Sequence, residues 1–214
     1  MASVVLPTRE SAPEMAVQQI TSAQADAYVL LALPASASLL LYNLAAVGAL
    51  KDPARWYLSP TLHTPALLET IPKGMLDGAH GVATGTTAGA TEFVQRFTDR
   101  WQDRPLDDAY PFYDAAAIAI FALQRALARE GTIPEGTGLA RHIIAVTQAG
   151  GTPVRWNELG RGLELLRQGN EVGYVGLTGT LEFDASWQTT AASTSWWTIG
   201  PDGFVPVPSN SNCR

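Results

Sequence analysis

The longest sustained apolar rhythm in the chain runs from Asp108 to Glu130, DAYPFYDAAAIAIFALQRALARE. Tyr113, Ala117, Ile120, Phe121 and Leu127 recur there at i, i+4, i+7, i+8 and i+14, the spacing of one helical face, while Gln124, Arg125 and Arg129 gather near the far end. The pattern predicts a buried helix. Its last turns carry Arg125 and Arg129, where the helix dipole favours cations, and Gly131 supplies a stop. Ala115, Ala116, Ala117, Ala119, Ala122 and Ala126 keep the side chains small, which suits a helix laid on a sheet. The apolar run from Ala115 to Leu123 is nine residues, against the roughly 20 that a bilayer requires, so the segment is not read as membrane-spanning.

Upstream, short apolar runs alternate with helical periods. Ser3 to Leu6 reads as a buried strand closed by Pro7. Ala12 to Gln24 carries Met15, Val17 and Ile20 at helical spacing, with Ser11 as N-cap and Pro13 in the first turn. Ala27 to Leu33 is almost continuously apolar and predicts a central strand of a parallel sheet covered on both faces. Ser36 to Val47 follows as a helix, with Leu39, Leu40, Leu44 and Val47 on its apolar side and Gly48 at its end. Arg55 to Leu58 gives another strand, Ser59-Pro60-Thr61 a turn, Pro65 to Ile71 a short helix and Ala79 to Ala83 a further strand. This alternation predicts an α/β doubly wound sheet.

After Gly85 the rhythm changes. Thr91 to Trp101, Asp108 to Glu130, Gly138 to Ala149 and Trp156 to Gln168 all read as helical, with scarcely a strand between them. Leu181 to Phe183, Ser195 to Ile199 and Phe204 to Val207 read as β segments, the last two joined through Pro201-Asp202-Gly203 as a hairpin. The adjacent Trp196 and Trp197 alternate across a strand, so one ring is expected inward and the other outward.

Composition narrows the function classes. The chain has 214 residues, 46% of them hydrophobic and 16% charged, enough for one substantial core or two smaller lobes. Fourteen Lys and Arg against 20 Asp and Glu leave a formal charge of −6, with no basic run, which argues against a nucleic-acid partner. The only cysteine, Cys213, sits in a polar tail, so neither an internal disulfide nor a cysteine metal site is expected. The opening MASVVLPTRES lacks the basic and long apolar regions of a signal peptide.

Few residues suggest chemistry. His63, His80 and His142 share no HxxxH or HxH spacing and are read as ordinary surface or strand-edge histidines, so no metal is expected. Gly81 to Ala90, GVATGTTAGA, fits neither phosphate-loop pattern and no GxSxG elbow occurs. Asp107 and Asp108 adjoin a helix start and favour its positive end. No catalytic residue and no cofactor are assigned.

Several phrases, in their order, resemble the substrate-binding proteins of ABC transporters with the type I periplasmic-binding fold, in the branched-chain amino acid (Leu/Ile/Val) group. They are ADAYVLLALPASASLLLYNLAAVG, GMLDGAHGVATG, FVQRFTDRW, AYPFYDAAAIAIFALQRAL, and VGLTGTLEFDASW followed by WWTIGPDGF. The resemblance implies a Rossmann-like doubly wound parallel sheet, incomplete, with a C-terminal β-hairpin. It implies residues 1–84 in lobe two, 85–186 as a helical return into lobe one, and 187–214 as lobe two's hairpin and tail. On that reading the chain corresponds to the C-terminal portion, and the sheet beneath its four helices lies in a missing N-terminal part.

The implied function is capture of a small polar solute, an amino acid or related compound, between two lobes without catalysis, for an ABC permease in a periplasmic or extracytoplasmic setting. A ligand-sensing regulatory domain of the same fold is the alternative. The implied ligand-binding positions are Pro34, Ala35 and Ser36 after one strand, Ser59 and Thr61 after the next, and Tyr110 at the entry to the long helix. The first loop offers no aromatic platform, and Thr61 stands where amino-acid binders place an acid for the ligand ammonium. An ordinary α-amino acid ligand is therefore not expected. With lobe one's sheet missing, the stripe Ala117, Ile120, Phe121 and Leu127 is expected to be exposed, giving self-association or pairing with the missing part and weak solute binding alone.

Overall fold

The computed structural model describes residues 13–184, 186–189 and 194–208. The expected strand Ser3 to Leu6, the Ser11 cap and Cys213 lie outside the described residues. The chain divides into two compact units, Met1–Ala83 with Ser195–Arg214, and Thr84–Thr194.

In the first unit α1 (Pro13–Ala23), β1 (Tyr28–Leu30), α2 (Pro34–Ala46), β2 (Trp56–Leu58), α3 (Pro65–Thr70) and β3 (His80–Thr84) follow in the expected alternation. The hairpin strands β6 (Thr194–Gly200) and β7 (Gly203–Val207) complete a five-stranded sheet of order β1-β2-β3-β6-β7. Neighbours β1 and β2, and β2 and β3, are parallel, while β6 and β7 are antiparallel. Leu30, Trp56, Leu58, Ala83, Trp197 and Ile199 point into one core with Ala16 and Val17 of α1, Ala37, Leu40, Leu41 and Leu44 of α2, and Leu67 of α3. Each fully buried leucine there contributes about 1.5–3 kcal/mol relative to exposure.

Two expectations for this unit need correction. The strand after Ala27 is three residues long rather than a fully covered central strand: Val29 is 71% exposed, and β1 is an edge among the described residues. Burial falls on one side of the pleat only, so the continuous apolar run does not report two covered faces. The helix after Pro34 turns its buried face to Ala37, Leu40, Leu41 and Leu44, leaving Leu39 and Val47 exposed. The run Leu39-Leu40-Leu41 fits two helical phases equally, and packing against the sheet selects the second.

The second unit contains α4 (Ala90–Trp101), α5 (Ala109–Glu130), α6 (Ala140–Thr147), β4 (Thr152–Arg155), α7 (Leu159–Arg167) and β5 (Val172–Val175). β4 and β5 form a two-stranded parallel sheet that the periodicity did not reveal, because TPVR and VGYV are each only four residues long. The helix expected from Trp156 accordingly begins at Leu159, and the one expected from Gly138 begins at Ala140. Leu181 to Phe183 is no strand; its Phe183 makes an isolated bridge to Thr189. Trp197 is buried and Trp196 is 40% exposed, the alternation expected of the pair.

The long helix ends at Gly131 as its sequence predicts. Its inward face is Asp114, Ala117, Ile118, Phe121, Ala122 and Ala126, so the expected exposure of Ala117 and Phe121 is wrong: both are buried within the unit's own core, while Ile120 and Leu127 are exposed. Phe121 lies edge-on to Tyr174 of β5, their ring centres 5.8 Å apart.

His142 is likewise no surface histidine. It is 1% exposed, with Nδ1 2.9 Å from an Arg125 nitrogen and Nε2 2.7 Å from Glu130. Guanidinium nitrogens only donate, so Nδ1 accepts and Nε2–H donates to the carboxylate. Arg125 also makes a forked pair with Glu171, at 2.7 and 2.8 Å, and Arg129 adds a third bond to the same carboxylate. These bonds tie α5 to α6 and to the start of β5.

Candidate functional site

In open α/β sheets ligands bind beyond the carboxyl ends of parallel strands. In the first unit those ends include the ends of β1 and β2, and five of the six sequence-predicted residues sit after these two strands. β1 runs out into an extended Leu33, and Pro34 opens α2 at its first position, where its missing N–H costs nothing. Ala35 and Ser36 are exposed in that first turn, which leaves backbone N–H groups without intrahelical acceptors. The loop after β2 turns through Ser59 into the short 3-10 helix Pro60–Leu62.

Two hydrogen bonds join the two loops and a third braces the second loop internally. Ser59 N–H donates to Leu30 O at 3.0 Å, Thr61 Oγ1 donates to Ala32 O at 2.8 Å, and the Ser59 and Thr61 hydroxyls lie 2.7 Å apart. Because the single Thr61 proton goes to Ala32, the Ser59 hydroxyl is the donor between them. Ser59 is 7% exposed and Thr61 is exposed, so the pair forms a clamp with one buried and one wet member. The Thr61 proton is already committed to the backbone, leaving its oxygen to accept.

Tyr110 lies in the other unit, in the first turn of α5, half-buried with its ring 5.5 Å from Phe93. Burial raises its phenol above the ordinary value and the nearby Asp107 carboxylate adds to this, while Arg104 opposes them. The structure thus gathers Pro34, Ala35, Ser36, Ser59 and Thr61 around two loop starts of the first unit, while Tyr110 belongs to the second.

Two open hollows occur elsewhere in the first unit. One of about 510 Å³ lies between α1 and α2, lined by Val17, Thr21, Asn43 and Val47. Another of about 360 Å³ lies by Tyr28, Lys51 and Arg55, at the amino ends of the strands. Neither reaches Ser59, Thr61 or the start of α2, and the chemistry of the loop site outweighs their size.

The most specific polar constellation is one that the sequence reading missed. Asp114 is 1% exposed and accepts four hydrogen bonds, from Tyr174 Oη at 2.7 Å, Leu177 N at 2.8 Å, Thr178 N at 2.9 Å and Thr178 Oγ1 at 2.7 Å. Burial first, and then the Asp114 charge, push the Tyr174 phenol far above its ordinary value. Gly176 is required in this turn, since a Cβ there would overlap the Asp114 carboxylate. Leu177 O in turn accepts from Thr87 N at 2.7 Å. A signal was present: Asp114 stands at i, i+3, i+4 and i+7 to Ala117, Ile118 and Phe121, an acid on the apolar face of a helix. The network is fully satisfied, and it fixes the turn after β5. Among the described residues no group of three or more His, Cys, Asp or Glu is arranged to hold a metal ion.

A parallel sheet whose chain leaves into a helix-rich unit and returns to add a hairpin is the type I periplasmic-binding fold in part. Solved structures with that fold that resemble this chain include the leucine-binding protein LivK from Thermotoga maritima MSB8, with a TM-score of 0.63 at 13% identity. The branched-chain amino acid transporter substrate-binding protein LivJ from Streptococcus pneumoniae, in complex with isoleucine, gives 0.56 at 14%. A solute-binding protein of an R. palustris ABC transporter, in complex with benzoate, gives 0.57 at 14%. These matches cover 94%, 92% and 95% of this chain but only 49%, 49% and 48% of theirs, so the chain spans about half the length of the structures it resembles. No protein-family model and no curated protein matches the sequence. No helix among the described residues is long and apolar enough to cross a membrane.

Proposed function

We propose that this chain is part of the solute-binding component of an ABC importer, which holds a small polar solute outside the cytoplasmic membrane for a permease and performs no reaction on it. The observation that carries this reading is the fold: over more than nine-tenths of its length the chain superposes on proteins crystallised as solute binders, two of them with isoleucine or benzoate bound. The site chemistry agrees. At the strand ends stand the first-turn amides of α2, which can donate to a carboxylate or neutral polar group, beside Ser59 and Thr61 hydroxyls whose protons are already committed within the loops. No acid stands at Ser59, Pro60 or Thr61 to pair with an ammonium, so the solute class proposed is a small carboxylate rather than an α-amino acid held through that loop.

The test is an NMR titration of the 214-residue chain, which reads contacts even when affinity is weak. Millimolar benzoate is expected to shift the Ser36 and Thr61 amide resonances, and isoleucine to shift them less. Shifts confined to residues away from both loops, or none at all, would refute the site. Turnover of any solute would refute the binding role.

A further inference from the structure

His142 stands buried in the first turn of α6, and both groups that hold its ring have other partners. Arg125 of α5 places Nη1 2.9 Å from Nδ1, while its Nε and Nη2 donate to Glu171 at 2.7 and 2.8 Å. That fork fixes the plane of the guanidinium, so Nη1 turns away from the ring only by breaking two charge-assisted bonds. Arg129, also on α5, gives the same Glu171 carboxylate a further bond at 2.7 Å. On the other side of the ring Glu130 accepts from Nε2 at 2.7 Å and from Arg141 Nη2 at 2.7 Å, and Arg141 Nε lies 3.4 Å from Nε2. The other elements packed closely on α6 are β5, whose Tyr174 is turned to Asp114, and the 3-10 turn Gly136–Leu139, which carries no titratable side chain.

This cage is built for a ring with one proton. With Nε2–H on Glu130, Nδ1 offers its lone pair to Arg125. A second proton sits on Nδ1 and points at an Nη1–H that the fork holds in place, donor against donor. The charge balance acts in the same direction: the guanidiniums of Arg125, Arg129 and Arg141 face only the carboxylates of Glu130 and Glu171, so an imidazolium adds to an existing excess of positive charge. The start of α6 is also the positive end of its dipole.

We propose that His142 is an acid-operated latch between α5 and α6: taking a second proton, the ring leaves its cage and α6 comes away from α5. Because the ring is buried, it leaves only with a movement of the helix that carries it. Val146, fully buried on the same helix, shares a core with Phe121 and Ala122 of α5, so opening the latch uncovers apolar surface. The open form alone accommodates the second proton, so acid favours opening and neutral pH favours closure. The proposal is independent of the solute-binding reading.

Hydrogen exchange on the 214-residue chain, corrected for the intrinsic rate at each pH, tests the latch. It is run between about pH 8 and about pH 5, where Glu130 and Glu171 stay ionised because hydrogen bonds from Arg141 and Arg125 hold their carboxyls below the usual value. The α6 amides of Ile144, Ala145 and Val146 are expected to lose about tenfold in protection across that range, while those of Leu165 and Leu166 in α7 keep theirs. His142→Gln is expected to hold α6 protection constant, since a glutamine can donate to Glu130 and accept from Arg125 with no second proton to take. In the parent chain the ring nitrogen resonances of His142 should show Nδ1 gaining its proton in step with the loss at α6, a readout that stands even where the variant fails to fold. Constant α6 protection in the parent, an equal loss in α7, the same loss in His142→Gln, or a doubly protonated ring with α6 still protected would each overturn the proposal.

Discussion

Replacing Asp114 by Asn tests the reading of the second unit most directly. The carboxylate is buried and accepts four hydrogen bonds, two from backbone amides, one from a phenol and one from a hydroxyl. An amide of the same shape keeps one accepting oxygen and turns an NH2 group toward donors, so at least one buried donor loses its partner and the others lose charge assistance. Hydrogen bonds to a charged group contribute about 1.5–3 kcal/mol each, and an orphaned buried donor costs about 1–3 kcal/mol. Relaxation of the Gly176 turn recovers part of this, and about 3 kcal/mol of destabilisation is expected. For a chain of this size that lowers the melting temperature by roughly 6–12 °C. Urea denaturation followed by near-ultraviolet circular dichroism measures the loss, and hydrogen exchange at the Leu177 and Thr178 amides locates it. A cycle with Thr178→Val separates the shared bonds, since residues in one network do not add. A variant within about 0.5 kcal/mol of the parent, a difference typical of substitutions that disturb nothing, with both amides still protected, would refute the claim that Asp114 organises the turn.

Tyr174 gives an alkaline signature. Its folded-state pKa is raised by burial and by Asp114, so its stabilising contribution is complete below the ordinary phenol value near ~10 and is lost as pH rises above it; Tyr174→Phe should flatten that limb of the stability curve, and an unchanged limb would contradict the assignment. Glu171 gives the acid counterpart. The forked bond from Arg125 chiefly holds its pKa below the usual carboxylate value, so its contribution is present above ~4.3 and declines as pH falls through the folded value; Glu171→Gln should make melting less pH-dependent in acid, and an identical acid limb would count against the pairing. Gly81→Ala places a methyl group into the Trp197 indole and should destabilise the first unit by about 1–3 kcal/mol. Intrinsic tryptophan fluorescence would report the shifted ring, and an unaltered spectrum and midpoint would show that the contact is loose.

The elements with long, well-punctuated patterns were legible in the sequence. The helix ending at Gly131, the alternation from α1 to β3, and the closing hairpin follow from periodicity of 3.6 or 2 together with Pro and Gly stops, and these are local properties. The phrases shared with a known family pointed to the fold that the solved structures bear out. What the sequence did not determine was which side of each element meets a partner. The run Leu39-Leu40-Leu41 satisfies two helical faces, the apolar stretch around Val29 is equally consistent with one covered face or two, and a helix apolar on opposite sides does not say whether Phe121 or Ile120 lies inside. β4 and β5 are too short to carry a period, and they become strands because each offers the other its backbone hydrogen bonds. The clamp from Thr61 to Ala32, the burial of His142 between Arg125 and Glu130, and the four bonds to Asp114 join residues 12 to 64 positions apart, except for the Ser59 and Thr61 hydroxyl pair. Local propensity determines where helices and strands form; only tertiary packing, which decides what water each polar group loses and what donor replaces it, could place those partners.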